Sequence, residues 1–313
     1  MLQGKRVAVT GGGGFIGSHL VGRLAGGNEV LALDDLTVGR LQNLAGVRDR
    51  VTVVKGSILD PRALRRAFAD ADLVFHLAAL TSVPGSLEDP LAYAEANVLG
   101  TVKVLTAAAE AGADRVVFAS SCAVYGRDPP PLAEGAPPDP LSPYAVSKLA
   151  SEHFCRSLSG PGRPETTSLR LFNVYGPRQS PESPYASVVA RFVRGIVAGK
   201  PLTLHGDGRQ TRDFVYVSDV AEAFDRAATA RAAAGGVFNV GSGRETSILD
   251  LIAALGSIED VSVKVRRTRP RPKDVRNSRA DTTLATKVLG FRASTRLEEG
   301  LRRTLEAARA SPS

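Results

Sequence analysis

The sequence contains no tryptophan, one methionine, two cysteines and no apolar run long enough to span a membrane. A membrane-spanning helix needs about 20 mainly apolar residues in succession, and Cys122 and Cys155 are too few for a disulfide framework. The first residues also lack the apolar stretch of a signal peptide. These shortages predict a cytoplasmic protein with reduced thiols, no metal site and no membrane partner.

Acidic residues are fewer than basic ones, 32 against 40, which gives a formal net charge of +8. A positive charge is compatible with nucleic-acid binding. However, the basic residues are mostly scattered among acidic ones, and the dense run at 266–273 contains prolines but no aromatic side chain. We therefore expect no nucleic-acid partner and favour a small phosphorylated ligand.

Strand-like apolar runs alternate with helical patterns through the first half of the 313 residues. We predict strands at 6–10, 30–33, 51–54, 73–77, 115–119 and 167–172, and helices at 14–24, at 90–111 and from about 142. This alternation is typical of an α/β protein with a doubly wound parallel sheet. The shorter segments after residue 172 predict a second, smaller α+β lobe that binds the substrate.

A glycine-rich turn, Thr-Gly-Gly-Gly-Gly-Phe-Ile-Gly at 10–17, joins the first predicted strand to the first predicted helix. Gly11, Gly14 and Gly17 let the chain turn tightly, approach a pyrophosphate and pack the helix against the sheet. The N-terminus of a helix offers free N–H groups and partial positive charge to phosphates. The pattern predicts a Rossmann dinucleotide site.

Two acidic residues follow the second predicted strand, Asp34 and Asp35. An acid at this position accepts hydrogen bonds from the adenosine ribose of a dinucleotide. A 2′-phosphate on that ribose would meet two negative charges. The sequence therefore predicts NAD, rather than NADP, as the cofactor.

Tyr144 and Lys148 lie four residues apart, on one face of a predicted helix, and Ser121 follows the fifth predicted strand. Lowering the pKa of a tyrosine from about 10 to about 7 takes about 4 kcal/mol. A cation about 4–5 Å away supplies about 3–4 kcal/mol at an effective dielectric constant of 20. We predict that Tyr144 is the general base and acid, that Lys148 and the nicotinamide charge activate it, and that Ser121 positions the substrate oxygen.

These motifs, with His-Leu-Ala-Ala at 76–79 and Asn-Val-Leu-Gly-Thr at 97–101, resemble the extended short-chain dehydrogenases of the NAD-dependent epimerase/dehydratase family. More narrowly, the segments at 169–177, 205–214 and 271–275 resemble UDP-sugar 4-epimerases. The resemblance covers nearly the whole chain. It implies an NAD-binding Rossmann domain at 1–172 and 213–240, and a nucleotide-sugar-binding lobe at 173–212 and 241–313.

The resemblance also implies the roles of individual residues. The implied cofactor-binding residues are Gly11, Gly14, Phe15, Ile16, Gly17, Asp34, Asp35, Ser57, Ile58, Leu77, Ala78, Ala79, Asn97, Ser120, Tyr144, Lys148 and Phe172. The implied substrate-binding residues are Ser121, Tyr144, Asn173, Ser187, Val188, Arg212, Arg271, Asp274 and Ser278. Two positions depart from the family pattern: Ser57 stands where an Asp often contacts adenine, and Thr81 where a Lys can lie near the cofactor.

Cys122 and Ala123 stand where related dehydratases and decarboxylases carry acids, so the sequence favours oxidation at C4 and return of the hydride. The resemblance thus implies a UDP-hexose 4-epimerase that works through a 4-keto intermediate. The small Ser278 predicts that UDP-GlcNAc and UDP-GalNAc are accepted as well as UDP-glucose and UDP-galactose. Two alternatives stay open, a UDP-glucuronate 4-epimerase and a non-catalytic NAD-binding regulator.

The resemblance further implies a homodimer. Its interface would be a four-helix arrangement built by the helices near 90–111 and 144–158 of each copy. The sequence itself contributes only that these helices contain enough alanine and leucine to pack.

Overall fold

Strands and helices alternate along the chain in the computed structural model, which describes residues 1–127, 129–180, 186–270 and 275–310. The strands are β1 (Arg6–Thr10), β2 (Glu29–Asp34), β3 (Val51–Lys55), β4 (Leu73–His76), β5 (Arg115–Ser121), β6 (Glu165–Leu171), β7 (Asn173–Tyr175), β8 (Leu202–His205), β9 (Thr211–Arg212), β10 (Phe214–Tyr216), β11 (Val237–Val240), β12 (Thr246–Ser247) and β13 (Val265–Thr268). The helices are α1 (Phe15–Leu24), α2 (Pro61–Phe68), α3 (Val83–Glu88), α4 (Pro90–Tyr93), α5 (Gly100–Glu110), α6 (Pro143–Ser157), α7 (Val188–Val197), α8 (Val217–Thr229), α9 (Ile248–Glu259), α10 (Thr283–Leu289) and α11 (Leu297–Ala310).

Seven strands form one parallel sheet in the order β11-β6-β5-β4-β1-β2-β3. This confirms the predicted doubly wound α/β fold. The order changes direction between β1 and β4, and ligands of such sheets bind at this point, outside the carboxyl ends of the strands. The glycine turn, His76 and Ser121 all lie at or just beyond these carboxyl ends.

The central sheet is buried on both faces. Val7 and Val9 of β1 belong to one apolar cluster, whereas Ala8 between them belongs to the cluster on the opposite face. Side chains of a strand alternate between the two faces, so helices must cover both. This explains why the strand sequences are almost continuously apolar.

The segments outside this sheet form three two-stranded sheets, β10 with β7, β12 with β9, and β13 with β8. A separate apolar cluster packs them against α7, α9 and α11. By contrast, Ala285, Leu289 and Phe291, in and after α10, belong to the apolar cluster of the central sheet. The division of the chain into two domains stays a prediction.

The predicted helix at 90–111 is interrupted. A π-helical turn, Ala94–Leu99, joins α4 to α5. Asn97 within this turn is buried, and its side chain binds the backbone of Leu80 on the neighbouring loop through both its oxygen and its nitrogen. The π turn thus places a hydrogen-bonding side chain beside the sheet, as such turns often do at functional sites.

Helix α6 begins where the sequence predicts. Ser142 accepts a hydrogen bond from the backbone N–H of Ala145, and Pro143 occupies the first turn. Both are typical of a helix N-terminus. Within the described ranges, no helix is both long and apolar enough to cross a bilayer.

Candidate active site

The glycine turn after β1 leaves no room for side chains. A Cβ atom added to Gly11 would lie 2.8 Å from the backbone nitrogen of Ala78, and one added to Gly17 would lie 2.0 Å from the carbonyl oxygen of Gly11. Gly11 also has a φ of +69°, in the left-handed region that favours glycine. Gly14 precedes α1 and has no side-chain cap. This compact turn, followed by the N-terminus of α1, therefore fits a dinucleotide pyrophosphate.

Asp34 ends β2 beside this turn and is buried. Its carboxylate accepts hydrogen bonds from the backbone nitrogens of Gly13, at 2.9 Å, and of Leu36, at 2.8 Å. Burial raises the pKa of Asp34, and these two hydrogen bonds oppose the rise. Asp35 is exposed, and its side chain accepts a hydrogen bond from Thr37. The pair is placed where the adenosine ribose of a dinucleotide would lie.

The other residues implied for the cofactor surround the same edge of the sheet. Leu77 and Ala78 direct their backbone nitrogens to the Thr10 hydroxyl, both at 3.2 Å, and Ala79 continues this loop. Ser57 lies in the loop after β3 and accepts a hydrogen bond from Leu59.

The apolar residues implied for the cofactor pack against the hydrophobic clusters of the protein. Phe15 and Ile16, in the first turn of α1, contact the apolar cluster of the smaller lobe. Ile58 belongs to the apolar cluster under β2 and β3. The centroid of the Phe172 ring lies 6.3 Å from that of the Tyr125 ring.

Tyr144 and Ser121 come together at the carboxyl end of β5. The Ser121 hydroxyl lies close enough to the Tyr144 hydroxyl to influence its ionisation, and the Tyr144 ring is buried and meets Tyr93 edge-on, with 6.4 Å between the two ring centroids. Burial raises the pKa of Tyr144 to about 12, and the nearby Ser121 hydroxyl opposes this rise. The structure thus joins the residues predicted as general base and as substrate-positioning hydroxyl.

Lys148 lies one turn further along α6 and is buried. Its ammonium donates to the Ala119 carbonyl at 2.8 Å and lies 4.8 Å from the centre of the Phe118 ring. Burial lowers the pKa of Lys148 to about 8. The ammonium is therefore fixed to β5, and its predicted activation of Tyr144 stays a prediction.

A chain of hydrogen bonds connects the glycine turn to the π turn through His76. Its Nδ1 lies 2.8 Å from the Thr10 hydroxyl, and its Nε2 lies 3.0 Å from the Thr101 hydroxyl. Thr101 donates its own proton to the Asn97 carbonyl, so Nε2 must carry the imidazole proton. Burial lowers the pKa of His76 to about 3. His76 is a neutral structural link rather than a proton-transfer group.

Asn97 extends this chain to α6. Its side-chain nitrogen donates to the Ser147 hydroxyl at 2.9 Å, and Ser147 donates to the Tyr144 carbonyl at 2.8 Å. The implied cofactor residue Asn97 thus connects the loop after β4 to the helix that carries Tyr144. Ser120, implied for the cofactor too, donates its hydroxyl to Glu152 instead.

Two residues predicted to bind the substrate, Ser278 and Arg212, lie near Cys122. Ser278 is buried, and its hydroxyl lies close to the thiol of Cys122, which directly follows Ser121. Arg212 on β9 lies close enough for its charge to act on the same thiol, and its Nη1 donates to the Thr211 carbonyl at 2.7 Å. Burial raises the pKa of Cys122 to about 12, so the thiol stays protonated.

Three further predicted substrate residues lie on neighbouring elements. Asn173 begins β7 and donates its backbone nitrogen to the Asp213 carbonyl at 3.0 Å. Ser187 caps α7 and donates its hydroxyl to Gln179 at 2.8 Å, and Val188 begins that helix. Arg271 and Asp274 lie outside the described residues. In the described part of the chain, no group of three or more His, Cys, Asp or Glu side chains is arranged to hold a metal ion.

Asp213 is a residue of the site that the sequence argument missed. Its fully buried carboxylate accepts hydrogen bonds from the backbone nitrogens of Ser242 (2.6 Å), Gly243 (2.9 Å) and Ala280 (3.0 Å), and from the Ser242 hydroxyl (2.7 Å). It thereby joins the segment of Arg212 to that of Ser278. An aspartate inside a polar motif gives no sequence signal for such long-range contacts.

Arg178 is the second missed residue. Its φ of +67° lies in the left-handed region, which is strained for a residue with a side chain. Arg178 is exposed, and its Nη1 donates to the carbonyl and hydroxyl oxygens of Ser18, in α1, both at 3.3 Å. Among the described residues it forms no ion pair, and burial lowers its pKa. The structure thus holds a positive charge beside the helix that follows the glycine turn.

Comparison with known proteins matches the fold and nearly the whole length of the chain. The model of the NAD dependent epimerase/dehydratase family matches residues 7–241. A UDP-glucose 4-epimerase of Mycolicibacterium smegmatis is 42% identical over 308 residues, covering 96% of this chain and 97% of that protein.

Two solved structures are similar over their whole length. A UDP-N-acetylglucosamine 4-epimerase from Methanobrevibacter ruminantium, in complex with UDP-N-acetylmuramic acid, has a TM-score of 0.94 at 36% identity, covering 99% of each chain. A UDP-glucose 4-epimerase from Thermus thermophilus, in complex with NAD, has a TM-score of 0.89 at 38% identity, covering 98% of this chain and 100% of that one.

Proposed function

The chain belongs to the NAD-dependent epimerase/dehydratase family, and we propose that it inverts C4 of a UDP-hexose through a transient 4-keto intermediate. The observation that carries this proposal is the closeness of the Tyr144 and Ser121 hydroxyl groups at the carboxyl end of β5. The next two residues, Cys122 and Ala123, provide no acid for elimination of water. The pair is therefore suited to moving one proton on and off a sugar hydroxyl.

NAD is the cofactor, and the glycine turn with Asp34 fits it. The turn would let the pyrophosphate approach closely, the backbone nitrogens at the start of α1 would hold it, and the Asp34 carboxylate would bind the adenosine ribose. We add Arg178 to this set, because a cation beside α1 suits a diphosphate, and this chain has Thr81 where a lysine can lie near the cofactor. NAD supplies a hydride acceptor for C4 and, when oxidised, a positive charge.

Tyr144 carries the proton in both directions. It removes the proton of the 4-hydroxyl during oxidation and returns a proton to the oxygen during reduction. Because burial alone raises the pKa of Tyr144 to about 12, formation of the phenolate requires nearby positive charge. The Lys148 ammonium, one helical turn away, is the charge that this chain provides. Ser121 donates to the same substrate oxygen and fixes its position.

The substrate lobe keeps the nucleotide in place while the sugar turns. Arg212 would bind the diphosphate, with the predicted help of Arg271, since planar guanidinium groups suit its several anionic oxygens. The flat 4-keto ring then rotates about its phosphate linkage and presents its other face for reduction. Asn173, Ser187 and Val188 are the further proposed contacts to the sugar nucleotide.

Ser278 supports a pocket that admits a 2-acetamido group. Its short side chain is buried beside Cys122, next to the proposed catalytic Ser121. A bulky residue here would occupy this space. We therefore propose that UDP-GlcNAc and UDP-GalNAc are substrates as well as UDP-glucose and UDP-galactose.

Proton NMR of the purified protein with separate UDP-sugars tests the proposal, first without added NAD. We expect the galacto epimer to form from UDP-glucose, from UDP-GlcNAc or from both, with relative rates that rank the sugars. Turnover of UDP-glucuronate alone, with its carboxylate retained, would instead identify a uronate epimerase. No turnover of any of the three after NAD is supplied would contradict an epimerase and favour an NAD-binding regulator.

Tyr144→Phe is the matched control. It removes one hydroxyl and keeps the ring that packs against Tyr93. We expect activity to fall by about 100- to 10,000-fold, the usual contribution of a general acid–base group, while NAD still binds. Activity close to that of the unmodified chain would remove Tyr144 from the mechanism.

We also propose that the protein is a homodimer. Leu91 and Leu99, before α5, and Val146 and Phe154, on α6, are at least one-third exposed, and the members of each pair lie eight residues apart along the helices. Two turns of helix separate such residues, so each pair lies on one face. Light scattering on the eluted protein tests this, and a monomer at micromolar concentration would contradict it.

A further inference from the structure

Helix α6 carries a third buried polar side chain, one turn beyond the proposed acid–base pair. Tyr144, Lys148 and Glu152 recur every four residues and therefore share one face of the helix. All three are less than one-tenth exposed. A glutamate is seldom buried to this extent unless it is paired, so its place beside Lys148 requires an explanation.

Two strand residues fix the Glu152 carboxylate. Ser120 on β5 donates its hydroxyl to Oε1, while Arg170 on β6 donates to Oε1 from Nε at 2.9 Å and to Oε2 from Nη2 at 2.7 Å. Ser120 and Arg170 are register partners in the parallel sheet, so their side chains point to the same face. The Arg170 guanidinium also lies 4.7 Å from the centre of the Tyr125 ring. The carboxylate is therefore held from two adjacent strands.

Lys148 needs a negative neighbour in order to stay charged. Burial lowers its pKa to about 8, and the opposing influences come from Cys155 and Glu152. An ammonium with this pKa is close to losing its proton in the pH range where enzymes usually work. Tyr144 gains phenolate stabilisation from Lys148 only while the ammonium is charged.

The titratable and charged groups around Lys148 come from three elements. They are Tyr144, Glu152 and Cys155 on α6, His76 on β4 and Arg170 on β6. Burial keeps His76 neutral by lowering its pKa to about 3, and keeps the Cys155 thiol protonated by raising its pKa to about 12. Of these groups, Glu152 is the one that carries negative charge at neutral pH.

We propose that Glu152, held by Ser120 and Arg170, is a positioning residue that keeps the Lys148 ammonium charged and in place beside Tyr144. Arg170 and Ser120 act through Glu152 and are positioning residues too. The buried ion pair thus sets the pH range of the reaction in addition to joining α6 to the sheet. This inference rests on the proposed roles of Tyr144 and Lys148.

The test is the pH dependence of turnover and of Tyr144 ionisation in the NAD-loaded Glu152→Gln protein. Loss of the carboxylate lowers the pKa of Lys148, so we expect the alkaline decline of kcat to move to lower pH by about one unit or more. The phenolate absorbance of Tyr144, isolated by subtracting the spectrum of the matching Tyr144→Phe protein, should appear at higher pH. This second readout does not require the correct sugar, so it separates failure of this inference from failure of the proposed function.

Two further variants separate charge from folding. Glu165→Gln removes the partner of Arg115, at the other end of the same two strands, and should leave the pH profile unchanged. The double variant Glu152→Gln with Arg170→Met replaces the buried pair by neutral groups of similar size, a change that folded proteins often tolerate. It should fold and still show the displaced alkaline decline. An unchanged pH profile and an unchanged phenolate titration in the double variant would overturn the inference.

Discussion

The residues proposed for the cofactor and those proposed for the substrate are held in place by different means. The proposed cofactor half, with the glycine turn, Asp34 and Ser121, lies at the ends of strands in one seven-stranded sheet. In the proposed substrate half, Asn173 and Arg212 lie on two-stranded sheets, and the buried carboxylate of Asp213 helps to join their segments to that of Ser278. Strand pairing within one sheet holds the first half, whereas short strand pairs, a buried side chain and a few backbone hydrogen bonds hold the second.

This difference predicts that a mutation can weaken NAD binding or sugar binding without weakening the other. A change in the glycine turn should weaken NAD binding without altering the sugar pocket. A change at Asp213 should loosen the sugar pocket while the sheet retains NAD. The variants that follow test this separation.

Asp213→Ala is expected to have the largest effect. It leaves three backbone nitrogens and one hydroxyl without their buried acceptor, which should cost about 3–5 kcal/mol of stability. Because those donors lie beside Ser278 and Arg212, KM for the UDP-sugar should also rise. Denaturant unfolding and steady-state kinetics measure the two effects.

The matched control is Asp219→Ala. Asp219 is also buried and accepts hydrogen bonds from Ser294 and Thr295, away from the sugar pocket. It should lose stability with little change in KM. An equal rise of KM in both variants would show that Asp213 has no special role in the substrate half.

Gly17→Ala is expected to weaken NAD binding. The added methyl group would lie 2.0 Å from the Gly11 carbonyl oxygen, so the turn must move. Overpacking of this kind costs about 1–3 kcal/mol, or up to about 100-fold in NAD affinity. Titration of the NAD-free protein with NAD measures the affinity.

Gly22→Ala, on the same helix, is the control because its added methyl group meets nothing within 4 Å. It should bind NAD normally and gain up to about 1 kcal/mol of stability. Normal NAD affinity in both variants would contradict the assignment of the turn to the cofactor.

Ser278→Tyr tests the proposed space for a 2-acetamido group in the substrate half. A tyrosine beside Cys122 would fill the proposed acetamido space, so turnover of UDP-GlcNAc should fall by about tenfold or more relative to UDP-glucose. NAD affinity should not change. Ser278→Ala keeps the space open and should retain both activities, and equal turnover of both sugars by the tyrosine variant would refute the pocket.

The smallest expected effect concerns pH and the cofactor half. The pKa of His76 falls from 6.5 to about 3 on folding because of burial. Below pH 6.5 the imidazole of His76 binds a proton in the unfolded chain but not in the folded chain, so stability decreases as the pH falls. Between pH 6.5 and 5.5 this amounts to about 1 kcal/mol.

His76→Gln should remove this part of the pH dependence in denaturant unfolding, although it lowers stability overall. The control His153→Gln changes an exposed histidine and should keep the original slope. An unaltered slope in the His76 variant would mean that the buried imidazole is not the titrating group.

The sequence was most informative where function depends on local backbone geometry. The glycine turn, the ends of β1 and β5 and the start of α6 follow from spacing and from residue preferences, and the structure has them at or close to the predicted residues. Tyr144 and Ser121 meet because parallel strands and their following helices present their ends at one edge.

The sequence was least informative where pairing is long-range or where several partners compete. The pairs β13 with β8 and β12 with β9 join short segments that are far apart in the chain, and no local pattern specifies such partners. The π turn was also missed, because it depends on the contacts of Asn97 with Leu80. Likewise, the hydroxyl of Ser120 has both Glu152 and a cofactor as conceivable partners, and only packing decides between them.

The hydrogen bonds of Asp213 affect which residues of the proposed sugar pocket can change in evolution. Three of its four hydrogen-bond donors are backbone N–H groups, which every residue except proline provides. The backbone bonds therefore require the aspartate and the path of the chain, whereas Ser242 also contributes its hydroxyl and Gly243 has a φ of +72° that favours glycine. The proposed pocket residue Ser278 takes no part in these four hydrogen bonds, so its side chain can change in size without removing any of them. The acid that joins the segments and the residue proposed to select the sugar are thus different residues, so a point mutation can alter substrate preference while the acid stays in place.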